Sequence, residues 1–150
     1  MAYNPNNPNG QTTAANSAPV VLASNVTSSF SIAEAATGGA DTKHIVTAGS
    51  SNNITQVKAG PGKVTGWYIY NSNGSARKVN FYNIVSPAPT VGTTAIHLSV
   101  VIPALSAANC PFPAGINFDT GIYISTTSGL ADTDTGLVAA NDLIINIFYK

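Results

Sequence analysis

Aliphatic and polar residues alternate in short segments along most of this chain, which is the pattern of β-strands with one buried face. The clearest case lies within residues 95–102. Every second residue from Ile96 to Ile102 is aliphatic, whereas His97 and Ser99 fall on the other side. Because side chains alternate between the two faces of a strand, this segment predicts a strand whose aliphatic side is turned inward.

Seven further segments alternate in the same way or are rich in β-branched and aromatic residues, and no segment predicts a helix longer than two turns. Pro111 and Pro113 predict a turn-rich loop, and residues 128–141 predict a long one. Such a series of short strands predicts an all-β protein, either a two-sheet β-sandwich of jelly-roll type or a partly closed β-barrel. The predicted strands are residues 44–48, 54–59, 63–70, 77–85, 95–102, 116–118, 121–126 and 143–149.

The strongest local signal is the Asn73-Gly74 step between the third and fourth predicted strands. Asn-Gly readily adopts the positive φ angles of a tight turn, so we expect these two strands to form a β-hairpin. In the fourth strand, residues 79–84 mix apolar and polar side chains on both sides. That pattern predicts a strand that is covered on both faces or lies at an interface.

The start of the chain differs from the rest in composition. Residues 1–24 are rich in Asn, Pro, Thr and Ala, show no hydrophobic periodicity and contain two Asn-Pro steps, which disfavour helix. We therefore expect an extended N-terminal arm of residues 1–24, followed by a single β-sandwich domain of residues 25–150. A short apolar stretch in the arm is either an anchor that pairs with a sheet edge or a frayed tail before an ordinary strand. The anchor residues are Pro19, Val20, Val21, Leu22 and Ala23.

Charge is the unusual feature of the composition. Only 8% of the 150 residues are Asp, Glu, Lys or Arg, and the formal net charge is zero, against about 25% charged residues in an average soluble domain. So little charge favours association with other proteins, and it supplies no patch for nucleic acid or for an anionic membrane. The first residues lack the basic and apolar stretches of a signal peptide, so we expect synthesis in a cytoplasm.

The chain offers few groups for catalysis. Cys110 is its single cysteine, and no motif of a reactive cysteine surrounds it. A triad with His44 or His97 is therefore less plausible than a role as a small core hydrophobe. Asp132 and Asp134 alternate as at the start of a calcium loop, but the acidic ligand expected further along falls poorly, so a solvated turn is the default. We predict no catalytic residues, no metal, no cofactor and no enzymatic activity.

Aromatic residues around the predicted hairpin provide an alternative site. Trp67, Tyr68, Tyr70 and Tyr82 could form a platform on which a sugar stacks, because sugars need no charge for binding. Few basic residues lie nearby, so we do not expect nucleic acid as a partner. The simpler interpretation is core packing, since alternate residues of a sandwich strand must point inward.

Two stretches of the sequence resemble segments found in small structural proteins of tailed bacteriophages. The first is NGQTTAANSAPVVLAS at residues 9–24, in which a Gly-Gln pair precedes an S-x-P-V-V-[IL]-A-S string ahead of a β-rich domain. The second is PFPAGINFDTGIYI at residues 111–124, which resembles the ending of such domains.

The resemblance implies a virion component located on the capsid exterior and synthesised in the host cytoplasm. The small size of the chain favours a capsid decoration (cement) protein that binds the major capsid protein between capsomers. The resemblance also implies a homo-oligomer, with a trimer favoured over a dimer. The alternative is a tail- or head-fibre protein that recognises a glycan on the host surface.

Overall fold

A computed structural model of the protein describes residues 39–150. Within this range the chain forms eight strands and no helix, so it contains no helix that is long and apolar enough to cross a bilayer. The predicted arm of residues 1–24, with its anchor at residues 19–23, lies outside the described residues. The strands are β1 (Asp41–Val46), β2 (Thr55–Lys58), β3 (Gly62–Asn71), β4 (Arg77–Asn83), β5 (Leu98–Ile102), β6 (Ser106–Phe118), β7 (Ile122–Thr127) and β8 (Leu143–Tyr149).

The strands form two antiparallel sheets of four. Sheet 1 has the order β1-β8-β3-β6, and sheet 2 has the order β2-β7-β4-β5. The two sheets do not close into a barrel, so the prediction of an all-β protein with two sheets is confirmed and the barrel alternative is wrong. Among the described strands, the edges are β1 and β6 in sheet 1 and β2 and β5 in sheet 2.

The pairing of the strands is nested. β1 pairs with β8, β2 with β7, β3 with β6 and β4 with β5, as in one long hairpin whose tip lies between β4 and β5. Two further pairs, β3 with β8 and β4 with β7, join these ribbons into the two sheets. Consecutive strands therefore lie in different sheets at most connections, and the chain crosses repeatedly from one sheet to the other.

The two sheets pack face to face around an apolar core. Trp67 of sheet 1 contacts Phe81 of sheet 2, with 5.6 Å between the ring centroids, and it also contacts Phe112, with 4.8 Å. The described part of the chain contains no disulfide. Its stability therefore depends mainly on the burial of these large rings and of the aliphatic side chains around them. The buried cluster comprises Val57, Val64, Trp67, Ile69, Val79, Phe81, Ile102, Phe118, Ile122, Ile124, Val138, Leu143, Ile145 and Ile147.

Several strand predictions are confirmed. The last strand spans residues 143–149 as predicted, and no strand lies in the long connection before it. In β5 the alternation is also as predicted, because Leu98 and Val100 are half-buried and Ile102 is buried, whereas Ser99 is exposed.

The predicted hairpin between β3 and β4 is wrong, because the two strands lie in different sheets. The reason is the side chain of Asn71, which is fully buried at the end of β3. Its Nδ2 donates hydrogen bonds to the backbone oxygens of Ser75, Ile102 and Pro103, and its Oδ1 accepts one from the Asn73 N–H at 2.9 Å. These bonds tie the turn to the distant connection between β5 and β6, so the chain passes across to sheet 2 instead of folding back.

The predicted loop at Pro111 and Pro113 is also wrong, and so is the separate strand at residues 116–118. All of these residues belong to β6, a single strand of 13 residues. Prolines are tolerated here because β6 is an edge strand, where a missing N–H can face outward. The register with β3 shifts at residues 112–115, which interrupt the ladder as a bulge.

Candidate functional site

The outward side of β4, in sheet 2, is covered by the protein itself. Lys78, Asn80 and Tyr82 point outward there, yet each is no more than 1% exposed. Since Val79 and Phe81 on the inward side are fully buried as well, the prediction that this strand is covered on both faces is confirmed.

The connection of residues 84–97 between β4 and β5 packs against the connection of residues 128–142 between β7 and β8, and the second of these contributes to the cover. They meet at Gly92, where an added Cβ would lie only 2.9 Å from the carbonyl oxygen of Thr133. The second connection also bonds to β4, since Lys78 Nζ donates to the Leu130 oxygen at 3.2 Å and pairs with the Asp132 carboxylate. The outward side of β4 is therefore closed to partners.

One polar group under this cover is left without a partner. Tyr82 and Ser125 join their hydroxyl groups at 2.9 Å. Asn80 lies on the same side of β4, opposite Ser125 in the pairing, and both polar atoms of its side chain are buried without any hydrogen bond. A buried amide in this state costs free energy, because it has lost its water and gained no replacement.

The outer face of sheet 1 has the opposite character, and we call it the bare face. Because pairing brings side chains of neighbouring strands side by side, its outward positions form three rows of four residues. None of these twelve residues is Asp, Glu, Lys or Arg, and the nearest charged side chain on this side of β3 is the exposed Lys63, which lies beyond the third row and next to the inward-facing Val64. The rows are Val46, Ile144, Tyr70 and Ala107; then His44, Asn146, Tyr68 and Asn109; then Thr42, Phe148, Gly66 and Pro111.

Large side chains on the bare face are open to solvent. Val46 is 42% exposed, Ile144 38%, Tyr68 41% and Tyr70 36%. Ile144 lies opposite both Val46 and Tyr70 in the pairing, so the first row is a continuous apolar strip. We take the bare face as the candidate interaction site, since exposed apolar residues that are contiguous mark contact surfaces more often than single ones do.

Polar groups occupy the middle of the bare face. His44 Nδ1 and Asn146 Oδ1 lie 2.9 Å apart, and Asn146 is also opposite Tyr68 in the pairing. Asn109, on the other side of Tyr68, is exposed. Amide groups both donate and accept hydrogen bonds, so this row can bond to donor groups and to acceptor groups of a partner.

The structure separates the four residues of the predicted aromatic platform. Trp67 is 6% exposed and lies in the core between the sheets, and Tyr82 is fully buried in sheet 2. Only Tyr68 and Tyr70 are exposed, side by side on the bare face. Sequence reasoning missed Val46 and Ile144 as their neighbours. The available signal was the run of aliphatic residues in the last strand, which leaves Ile144 facing outward when Ile145 faces inward.

The side chains considered for catalysis or metal binding are engaged in structural contacts. Cys110 packs against the core cluster, on the side of sheet 1 opposite His44, and the His97 ring lies 4.6 Å from that of Phe118. Asp134 accepts the N–H groups of Gly129 and Gly136, each at 3.0 Å. Residues 39–150 contain no pocket and no group of three side chains placed to hold a metal ion.

One carboxyl group has a perturbed pKa. Burial raises the pKa of Asp142, but hydrogen bonds from Asn73 and Arg77, the positive charge of Arg77 and a backbone hydrogen bond from Ala139 outweigh burial and hold it below its ordinary value of 3.8. The Arg77 guanidinium lies 2.9 Å from this carboxylate. This ion pair fastens the start of β4 to the residue before β8, and it is a structural contact.

Together these features define the described part of the chain as an all-β protein with two packed four-stranded sheets, the first of which exposes three rows of residues without Asp, Glu, Lys or Arg. No protein-family model, no curated protein and no solved structure matches the chain.

Proposed function

We propose that this chain is a structural virion protein that decorates and cements the capsid of a tailed bacteriophage by binding between capsomers. The observation that carries the proposal is the nested pairing of eight strands in two sheets. We infer from it a jelly roll, which is a long hairpin rolled into a double sheet and recurs in viral capsid proteins. Fold alone does not define function. The two segments that resemble phage structural proteins give the proposal separate support.

Cementing follows from mass action. A protein that binds the assembled shell and not its separated subunits stabilises the shell, by about 2.7 kcal/mol for each site when its free concentration is one hundred times the dissociation constant. The rigid sandwich supplies the body that spans neighbouring copies of the major capsid protein. Residues 1–24 supply an arm whose segment 19–23 adds a strand to an open sheet edge of a neighbour. Repetition over the shell makes many weak contacts effective.

Deletion of residues 1–18 tests the arm. Particles carrying the shortened protein are expected to have lower occupancy, measured by quantitative mass spectrometry, and to release their DNA at a lower temperature. A matched control replaces residues 1–18 by a Gly-Ser segment of equal length, which keeps the reach of the arm and removes its sequence. Unchanged occupancy and unchanged heat resistance in the deletion would remove residues 1–18 from the mechanism and leave segment 19–23 as the contact that the arm makes.

A second candidate is a fibre protein that binds a glycan on the host surface. It is favoured by the exposure of Tyr68 and Tyr70 beside Asn109 and Asn146, because aromatic rings and amides are the groups that bind neutral sugars. Jelly rolls also occur in lectin domains. A glycan array with the purified protein separates the two candidates. Binding that disappears in Tyr70→Ala supports the fibre protein, whereas a cement protein binds no glycan.

A further inference from the structure

We propose that the bare face is the surface through which two copies of this chain associate, by a two-fold contact of sheet 1 against sheet 1. This inference goes beyond the decoration function, because it concerns the purified protein in the absence of any shell. It begins from the contrast between the two sheets. The outward side of β4 in sheet 2 is buried and bonds to the connection 128–142, whereas the bare face exposes Tyr68 at its centre.

The absence of charged residues from the bare face indicates which partner binds it. A two-fold contact places each face against an identical one, so a charged residue near the two-fold axis would lie close to its own copy and be repelled by it. The described part of the chain carries Asp, Lys and Arg residues at many other positions, yet none of the three rows of the bare face contains one. A charge-free face of this kind pairs with itself without repulsion and loses little solvation when it is buried.

The polar row is also self-complementary. Asn109 and Asn146 each carry a donor and an acceptor, so the same groups on a second copy can satisfy them. Tyr68 and Tyr70 provide two rigid rings that bury a large area with little loss of conformational freedom, which is the property of anchor residues at the centre of interfaces. A trimer would instead set the bare face against a different surface of the neighbour.

The dimensions of the face agree with a weak dimer. Four strands at about 4.8 Å spacing and five residues at about 3.4 Å each give a flat footprint of about 320 Å². Two such footprints together give roughly 640 Å², which is the size of a weak and transient interface. We therefore expect a dissociation constant in the micromolar range.

Sedimentation equilibrium of the purified full-length chain tests the inference, at concentrations from about 10 μM to about 1 mM to bracket a weak dimer. The wild-type mass is expected to rise with concentration from 15.3 kDa towards twice that value. Tyr68→Glu is expected to raise the dissociation constant at least tenfold, because it places like charges between the faces. Tyr70→Glu serves as a second variant in case the first does not fold.

The matched control is Val101→Glu. Val101 is 46% exposed on β5 of sheet 2, so the same charge is added to an exposed strand residue outside the bare face. It is expected to change the dissociation constant less than twofold. Mixing Tyr68→Glu with Tyr68→Lys is expected to restore association, because unlike charges then face each other. A wild-type chain that stays monomeric to about 1 mM, equal weakening by Val101→Glu, or undiminished association of Tyr68→Glu would each overturn the inference.

Discussion

Replacing Asn71 by Ala is expected to destabilise the protein more than any other change of a single asparagine to alanine in the described strands. The side chain is fully buried where the chain leaves sheet 1 for sheet 2. Its two Nδ2 protons serve the carbonyl oxygens of Ser75, Ile102 and Pro103, and its Oδ1 accepts the Asn73 N–H. The bond to the Ile102 oxygen is buried, so that oxygen is left without a partner once the amide is gone.

The expected loss of stability follows from the number of hydrogen bonds that Asn71 makes. Two donated protons and one accepted proton, each contributing about 1 kcal/mol, give a loss of about 3 kcal/mol in the free energy of unfolding. For a domain of this size that loss corresponds to a fall of about 10 °C in the melting temperature. The cavity left by the shorter side chain adds to the loss.

Denaturation in urea measures this loss conveniently, because Trp67 is the only tryptophan and lies in the core, where its fluorescence reports unfolding. The matched control is Asn109→Ala, at an exposed position of β6, which is expected to change the free energy of unfolding by less than about 0.5 kcal/mol. A loss below about 1 kcal/mol in Asn71→Ala would refute the role assigned to this side chain.

Two further changes test other buried polar groups. Asn80→Leu is expected to raise the free energy of unfolding by about 1 kcal/mol, because it removes a buried amide that has no hydrogen-bond partner. A clear fall in the free energy of unfolding, measured by urea denaturation, would contradict this expectation. Asp142→Asn is expected to destabilise the protein at neutral pH. The pKa of Asp142 is lowered in the folded state, so its contribution is present above pH 3.8 and is lost as the pH falls through the lower folded value. The difference in stability between wild type and this variant should therefore shrink on acidification from about pH 5 to about pH 2, and a difference independent of pH would contradict the assignment.

Local periodicity was sufficient to predict the strands whose side chains alternate or are aliphatic throughout. Residues 143–149 formed a strand as predicted, and the inward side of β5 was assigned correctly. In both cases burial against the opposite sheet agrees with the local pattern. The all-β class and the two sheets follow from many such agreements along the chain.

The errors arose where a distant contact outweighs a local signal. The Asn73-Gly74 step resembles a tight turn, but the bonds of Asn71 to Ile102 and Pro103 direct the chain to the other sheet. Likewise, a proline such as Pro111 argues against a strand only when that strand is paired on both sides. The sequence alone does not show that β6 is an edge strand, because that depends on the topology of the whole sheet.

The candidate site could be predicted only in part for the same reason. Tyr68 and Tyr70 were identified from the sequence, but their separation from Trp67 and Tyr82 depends on which strands share a sheet. The absence of charge on the bare face is equally invisible along the chain, because its three rows draw one residue at a time from four strands that are far apart in sequence.

If this chain is a component of an assembled virion, as we propose, purified particles contain a definite number of its copies. Quantitative mass spectrometry of density-purified particles from the lysate in which the chain is produced would give its ratio to the major capsid protein. We expect a fixed ratio that persists through repeated purification. Particles that lack the chain, or carry it in amounts that fall with each purification step, would contradict it.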